Sequence, residues 1–193
     1  MNVGANNITD TGLYFQWGDS QGYTTDQVGD ESGQKYFGWA DYKYGNGTSS
    51  PGNTGMTKYN STDGKTVLEL SDDAARANMG GLWRMPTTDE YAALSAATTS
   101  EWTSNYEGSG ISGLVLTSKA DSSKKLFFPA AGYCYNGSVY HVKGFGVYWS
   151  SSVNSSIGLR QNAYALYYGS GFVNWQNVSE RYGGFSVRGV LDE

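Results

Sequence analysis

The stretch Phe145–Val190, FGVYWSSSVNSSIGLRQNAYALYYGSGFVNWQNVSERYGGFSVRGV, decides how this chain is read. Its ends, GVYWSSS (Gly146–Ser152) and RYGGFSVRGV (Arg181–Val190), look like ordered scaffold. The middle mixes Asn, Ser, Gly and Tyr with isolated large apolar residues. From Leu126 to Ser179 formal charge occurs only at Lys143 and Arg160, and there is no Asp or Glu. Proton-transfer chemistry needs titratable groups within reach of a substrate, so this segment is suited to binding by contact.

Working outward, Val147–Ser151, an alternating face at Ala163, Leu166 and Tyr168, Gly171–Trp175 and Gly184–Val190 all read as strands. Upstream, Leu114–Ser118 and Lys125–Pro129 flank a polar turn and predict a hairpin, followed by Ala130–Tyr133. Two helices are predicted before it. One starts at Ser71 as N-cap, with Asp72 and Asp73 in the first turn and a stop at Gly80 and Gly81. The other follows Pro86, where Thr87 and Glu90 have capping-box spacing, and its apolar face carries Tyr91, Leu94 and Ala97. GGLWRMP between them reads as a corner anchored by Trp83. Gly12–Gly18 is a short aromatic strand. Tyr36, Phe37, Trp39, Tyr42 and Tyr44 read as rings that pin a long loop. The class is α+β, with two short helices and a mostly antiparallel twisted sheet with long loops. Residues 1–193 form a single domain, in which 1–11 reads as a loosely attached segment.

Composition narrows the function. Hydrophobic residues make up only 38%, but aromatics reach 15%, so the core is expected to be aromatic. The net charge is −5 and the largest basic cluster is Lys124–Lys125, which excludes the electrostatic footprint of a nucleic-acid binder. No apolar run has the length of a membrane span, so no membrane insertion is expected. The start MNVGANNITD has neither the basic nor the apolar part of a secretory signal. That fits a surface protein whose leader has been removed, or a phage component that never carried one. Cys134 and His141 are each the sole residue of their type, which argues against disulfides, a zinc site and a Ser-His-Asp triad. Cys134 reads as core, and Asp72 and Asp73 read as capping groups in preference to metal ligands. No cofactor is expected.

The motifs WRMPTTDEYAAL, LFFPAAGY, GVYWSSS and GFSVRGV, in this order, together with TKYN (Thr57–Asn60) and LELSDDAA (Leu68–Ala75), resemble the Fibrobacter succinogenes major paralogous domain. That domain occurs in Bacteroidetes surface proteins and related phage proteins. It is similar to the C-type lectin fold and to formylglycine-generating enzymes, and the resemblance runs from about Leu13 to Val190. The frame YWSSSVNSS…NAYALYY…SGFVN…RYGGFSVR further resembles the variable region of proteins diversified by a retroelement, here 133–190. The resemblance implies an extracellular binding module, on a bacterial cell surface or a phage virion, that recognises a protein or glycan receptor.

Against that frame the out-of-pattern residues are Tyr135, Tyr140, His141, Phe145, Ile157, Leu159, Arg160, Tyr167, Phe172, Trp175, Gln176 and Glu180. They are expected to line one ligand-binding face. Trp149, Ser150, Ser151, Ala163, Leu166, Phe185, Val187 and Arg188 would be the scaffold. Rigid rings among small polar spacers have the composition of an antibody-like paratope, although for Phe172 and Trp175 burial in a twisted sheet is the competing expectation. Formylglycine-generating enzymes act through a cysteine pair, and Cys134 stands alone. The calcium motifs of sugar-binding C-type lectins are also missing. The resemblance therefore implies fold and not catalysis. The alternatives are an undiversified structural or adhesive surface domain and, less favoured, a modifying enzyme.

Overall fold

The computed structural model describes residues 1–48, 53–156 and 158–192. In chain order these form α1 (Ala74–Met79), β1 (Trp83–Arg84), α2 (Thr88–Ala97), β2 (Thr98–Thr103), β3 (Gly113–Ser118) and β4 (Lys125–Pro129). They continue with β5 (Tyr133–Tyr135), β6 (Ser138–Tyr140), β7 (Phe145–Val153), β8 (Asn162–Gly169), β9 (Phe172–Glu180) and β10 (Val190–Leu191). The class is α+β. Within the sheets every pair of strands is antiparallel, in the orders β2-β3-β4, β7-β8-β9, β5-β6 and β1-β10. Before α1 the described chain runs through loops and single 3-10 turns pinned by buried rings, among them Tyr14, Phe15, Trp17, Phe37 and Tyr42.

The helix starts follow from their caps. Thr87 accepts a hydrogen bond from the Glu90 amide, and the Glu90 carboxylate accepts from the Thr87 amide, closing the expected capping box. At α1 the cap is Asp73, which accepts from the Arg76 amide at 3.0 Å, and not Ser71. Ser71 and Asp72 belong to the preceding 3-10 turn, Leu70–Asp72. That shift turns Asp72 inward, where Tyr59 donates to it at 2.6 Å and Lys58 and Lys43 form ion pairs with it. Gly80, at φ 68°, ends the helix where a side chain would be strained. Ala97, assigned to the apolar face of α2, is exposed, whereas Tyr91 is buried.

The β7-β8-β9 sheet is the centre of the molecule because its first two strands are covered on both faces. Val147, Trp149, Val153, Ala163 and Ala165 point into one core with Phe15, Trp17, Met85, Phe185 and Val187. Tyr148, Leu166 and Tyr168 point the other way, onto Tyr91, Leu114, Leu116 and Phe128. The serine run fits inside because its polar groups are paired: Ser150 Oγ donates to the Tyr164 carbonyl and Ser151 Oγ to the Pro86 carbonyl. Two indoles cross-link the layers reciprocally, Trp17 Nε1 donating to the Ser150 carbonyl and Trp149 Nε1 to the Phe15 carbonyl.

After β9 the chain returns through the core. Phe185 bridges to Phe15, and Ser186 runs parallel to Tyr148, with the Trp149 amide donating to the Ser186 carbonyl. The segment Gly184–Val190 thus threads between β7 and the amino terminus as single bridges and joins a sheet only at β10. Gly183 and Gly184 make this passage possible, since a Cβ on the first would press on the Tyr135 ring at 2.8 Å and on the second on Phe37 at 2.5 Å. The amino terminus corrects the expectation of loose attachment. Val3 is buried, its amide donates to the Val187 carbonyl, and Asn2 Nδ2 donates to the Tyr148 hydroxyl.

Candidate functional site

The candidate site grows from a short hairpin. Asn136 and Gly137, at φ 47° and 71°, form the two-residue turn that joins β5 to β6, the asparagine-glycine pair being the type that tolerates two positive φ angles in succession. Alternation along β5 then sends Cys134 to one face, against Tyr14 and Phe37, and Tyr133 and Tyr135 to the other, where they lie half-buried against the main core. Register pairs Tyr133 with Tyr140 across the hairpin. The turn into β7 holds His141 and Lys143 at φ 55° and 67°, an unfavourable conformation for residues with side chains. It delivers Phe145 to the edge of the central sheet, level with Gly169 and, beyond it, Phe172.

The rings so placed are continuous. From the end of the sheet inward, Phe172 lies 4.9 Å from Tyr167, Tyr167 5.6 Å from Phe145, and Phe145 4.8 Å from His141. His141 lies 5.6 Å from Tyr133, which meets Tyr140 at 5.7 Å and Tyr135 at 5.6 Å. Tyr135 continues to Tyr182 at 5.3 Å, and Tyr182 to Trp39 at 4.7 Å. Thus Tyr135, Tyr140, His141, Phe145, Tyr167 and Phe172 form one aromatic face, although they come from different strands and a turn. Beneath them a pocket of about 250 Å³ opens between Tyr133, Tyr135, Tyr167 and Phe185, with Val147, Asn177 and Ser179 completing its lining. Asn177 Nδ2 donates to Ser179 Oγ at 2.8 Å.

The phenols of the face are held in their neutral form. Burial, together with Tyr182 and the carboxylate of Glu180, pushes the Tyr135 hydroxyl far above the usual phenol range, and burial beside Tyr167 and Tyr140 raises that of Tyr133. The Tyr182 hydroxyl is raised by burial and by its hydrogen bond with Glu180. Glu180 therefore sits at the rim beside Tyr182.

The remaining candidates do not share this face. Trp175 and Gln176 lie at a β-bulge in β9, where three steps from Asn177 to Asn174 oppose two steps on β8 from Ala165 to Tyr167. Trp175 is half-buried and packs with Val173 against the core of Tyr91, Leu114 and Leu166. It borders a second cleft with Trp102 and Ser100, which Tyr167 does not line and which meets the aromatic face only at Phe172. Gln176 borders a polar groove with Thr66, Thr88 and Tyr164. Leu159 and Arg160 lie in the β7–β8 loop, at the end of the sheet opposite Phe172, and Arg160 Nη1 donates to the Lys65 carbonyl at 2.7 Å. Ile157 lies outside the described residues. Six ring-bearing candidates thus stand together, with Glu180 beside Tyr182 near them, whereas Trp175, Gln176, Leu159 and Arg160 stand elsewhere.

Sequence reasoning missed Tyr133, Tyr182, Trp39, Asn177 and Ser179. Tyr133 and Tyr182 stand inside motifs read as scaffold, AAGY and RYGG. The signal for Tyr133 was period-2 alternation across YCY, which puts it beside Tyr135. Trp39 stands in the loop patch whose rings read as pins. That reading is right for Phe37 and Tyr42, which are buried, while Tyr36 is exposed and Trp39 joins Tyr182. Trp149, Ser150, Ser151, Ala163, Leu166, Phe185 and Val187 are buried, as expected of scaffold.

Among the described residues no group of His, Cys, Asp and Glu is arranged to hold a metal ion, and no helix is long and apolar enough to cross a membrane. Compared with protein-family models, with curated proteins and with solved structures, the chain matches none.

Proposed function

We propose that the chain is a non-enzymatic binding module on a C-type-lectin-like fold, whose aromatic face meets a protein or glycan receptor. The observation that carries this reading is the assembly of six candidate rings, chosen from sequence, into one continuous face over a pocket, with Tyr140, His141 and Phe172 exposed and Tyr135, Phe145 and Tyr167 half-buried. Rings offer large contact area at little conformational cost, and small polar neighbours supply adaptable hydrogen bonds. The positive φ angles at His141 and Lys143 support the reading too, because strained backbone clusters where function over-determines geometry. The α+β architecture, its antiparallel sheets and the order of the four sequence motifs support the lectin-like fold.

In this reading the face is the retroelement-diversified surface of a variable protein displayed on a phage particle or a bacterial surface. The frame of VYWSSS and GFSVR is fixed by burial, and the rings between are exchangeable. Nucleotide sequence beside the gene tests diversification: a near-copy of the 3′ end, differing mainly at adenines, is the expected result. Its absence would leave an undiversified adhesive domain as the reading. Binding itself is tested by pulling receptors from whole cells with the intact chain and with Phe172→Ala, which removes an exposed ring of the face, the variant being expected to capture less while unfolding at nearly the same temperature.

A further inference from the structure

The geometry points to a cage for a quaternary ammonium group in the pocket between Tyr133, Tyr135, Tyr167 and Phe185. This inference rests on the reading of the aromatic face as a binding surface and names the chemistry its pocket takes. The rings Tyr133, Tyr135 and Phe185 stand nearly perpendicular to one another, at 68°, 79° and 84°, with centroids 5.6, 6.4 and 5.7 Å apart, and all three line the pocket. Three mutually perpendicular rings form the corner of a box, and Tyr167 supplies a further wall. Aromatic faces attract cations through their quadrupole, and boxes of such rings are a general solution for alkylated ammonium groups.

The rest of the molecule shows what its other ring clusters hold. The Arg181 guanidinium lies over Trp17, Tyr42 and Tyr59, Lys58 over Tyr44 and Tyr59, and Lys43 over Tyr44. Lys35 lies over Tyr23 and Phe37, and Arg188 over Phe128. Among the described residues no cation of the chain lies over the rings of the pocket. This ring cluster opens outward, and the cation it suits must arrive from outside.

The lining selects the kind of cation. It contains Asn177 and Ser179 but no carboxylate, so nothing inside replaces the tightly held water shell of a primary ammonium. A trimethylammonium group is weakly hydrated and presents methyl groups to the rings. At about 250 Å³ the pocket is slightly smaller than the roughly 300 Å³ at which sites for drug-sized ligands begin, a size for one compact group. Glu180 at the rim and the net charge of −5 favour a cationic visitor over an anionic one.

Calorimetric titration of the whole chain tests this with choline and with dimethylbutanol, its neutral isostere with carbon in place of nitrogen. Choline is expected to bind saturably and about tenfold more tightly than the isostere, the size of effect a desolvated cation–π site gives. Tyr167→Leu should weaken choline severalfold, while Tyr167→Phe, which keeps a ring and is as easily folded, should retain it. Equal affinity for the two compounds, no choline binding, or preference for a neutral methyl glycoside would overturn the cage. If choline fails while Phe172→Ala still lowers receptor capture, the cage falls and the binding face stands. If choline binds and Phe172→Ala leaves capture unchanged, the cage stands and the wider face falls.

Discussion

The guanidinium of Arg181 lies 4.7 Å from the ring of Trp17, and both side chains are fully buried. No carboxylate among the described residues forms an ion pair with it. Its charge is met by the Lys58, Tyr59 and Arg160 carbonyls, by the Tyr42 hydroxyl at 2.7 Å, and by the faces of three rings. One residue therefore ties the end of β9 to two loops before α1 and to the β7–β8 loop. These carbonyls belong to irregular segments that have few other partners available inside the protein.

Arg181→Ala should destabilise the fold by about 3 kcal/mol, since it leaves several buried acceptors unpaired. At this chain length that lowers the melting temperature by roughly 6–12 °C. Arg181→Lys keeps the charge but cannot reproduce the planar fork, and should fall between the two. A melting curve for the alanine variant superimposable on wild type would show that the surrounding carbonyls are met by water instead.

Phe172 and Trp175 look equivalent in sequence but should respond oppositely. Phe172 is 42% exposed and belongs to the aromatic face, whereas Trp175 packs against the core of Tyr91 and Leu114. Phe172→Ala should cost no more than about 0.5 kcal/mol of stability but lower receptor affinity at least tenfold, as hot-spot aromatics do. Trp175→Ala should cost about 2–3 kcal/mol as a truncated, partly buried aromatic and change affinity little. Denaturant melts and binding isotherms on the two variants separate these outcomes, and reversal of the pattern would move the face to the other side of the sheet.

That contrast also marks what the sequence reveals. Phe172 and Trp175 are three residues apart, and period-2 alternation alone puts such a pair on opposite faces of a strand. The bulge that adds Gln176 to the Trp175 side has no comparable signal. Capping chemistry located α2 because Thr87 and Glu90 act within one turn, and the LVLTS–KLFFP hairpin was legible from its turn and apolar run. The paired aspartates before α1 were harder, since Ser71, Asp72 and Asp73 are all competent caps. The choice fell to long-range partners of Asp72 such as Lys58 and Tyr59. The amino terminus looked detached because its anchors, Val187 and Tyr148, lie at the far end of the chain. Assembly of the face likewise depends on how β5, β7 and β9 meet.

Cys134 should behave as an inert core thiol. Its side chain is buried behind Tyr14 and Phe37, and that burial pushes its pKa far above the ordinary thiol value. Alkylation by iodoacetamide at pH 8 should be undetectable in the native chain and complete in denaturant. Rapid native labelling would revive a cysteine-based activity and weaken the binding-module reading.

Acid should unfold the protein through two carboxylates whose signs agree. At Asp72 burial favours the neutral acid, but hydrogen bonds from Lys58, Tyr44 and Tyr59 and the charge of Lys43 outweigh it and hold its pKa below the usual range. At Glu90 the hydrogen bonds from Arg84 dominate, burial opposes them, and the value falls to about 2. A carboxylate with a depressed folded-state pKa contributes stability that is complete above its unfolded value and is lost as pH falls toward the folded one. For this pair the loss runs from the ordinary carboxylate range, near pH 4, down to pH 2 and below. Asp73 has the opposite sign: burial raises its pKa, so the fold favours its proton and gains slightly as pH falls. The expected result is that Asp72→Asn unfolds at lower urea concentration than wild type at pH 7, and that the two curves draw together as pH approaches 2. Glu90→Gln should do the same with smaller amplitude, because its ion pair with Arg84 is partly open to solvent. A stability gap for Asp72→Asn that stays constant from pH 7 to pH 2 would show that packing, and not the charge of Asp72, sets its effect.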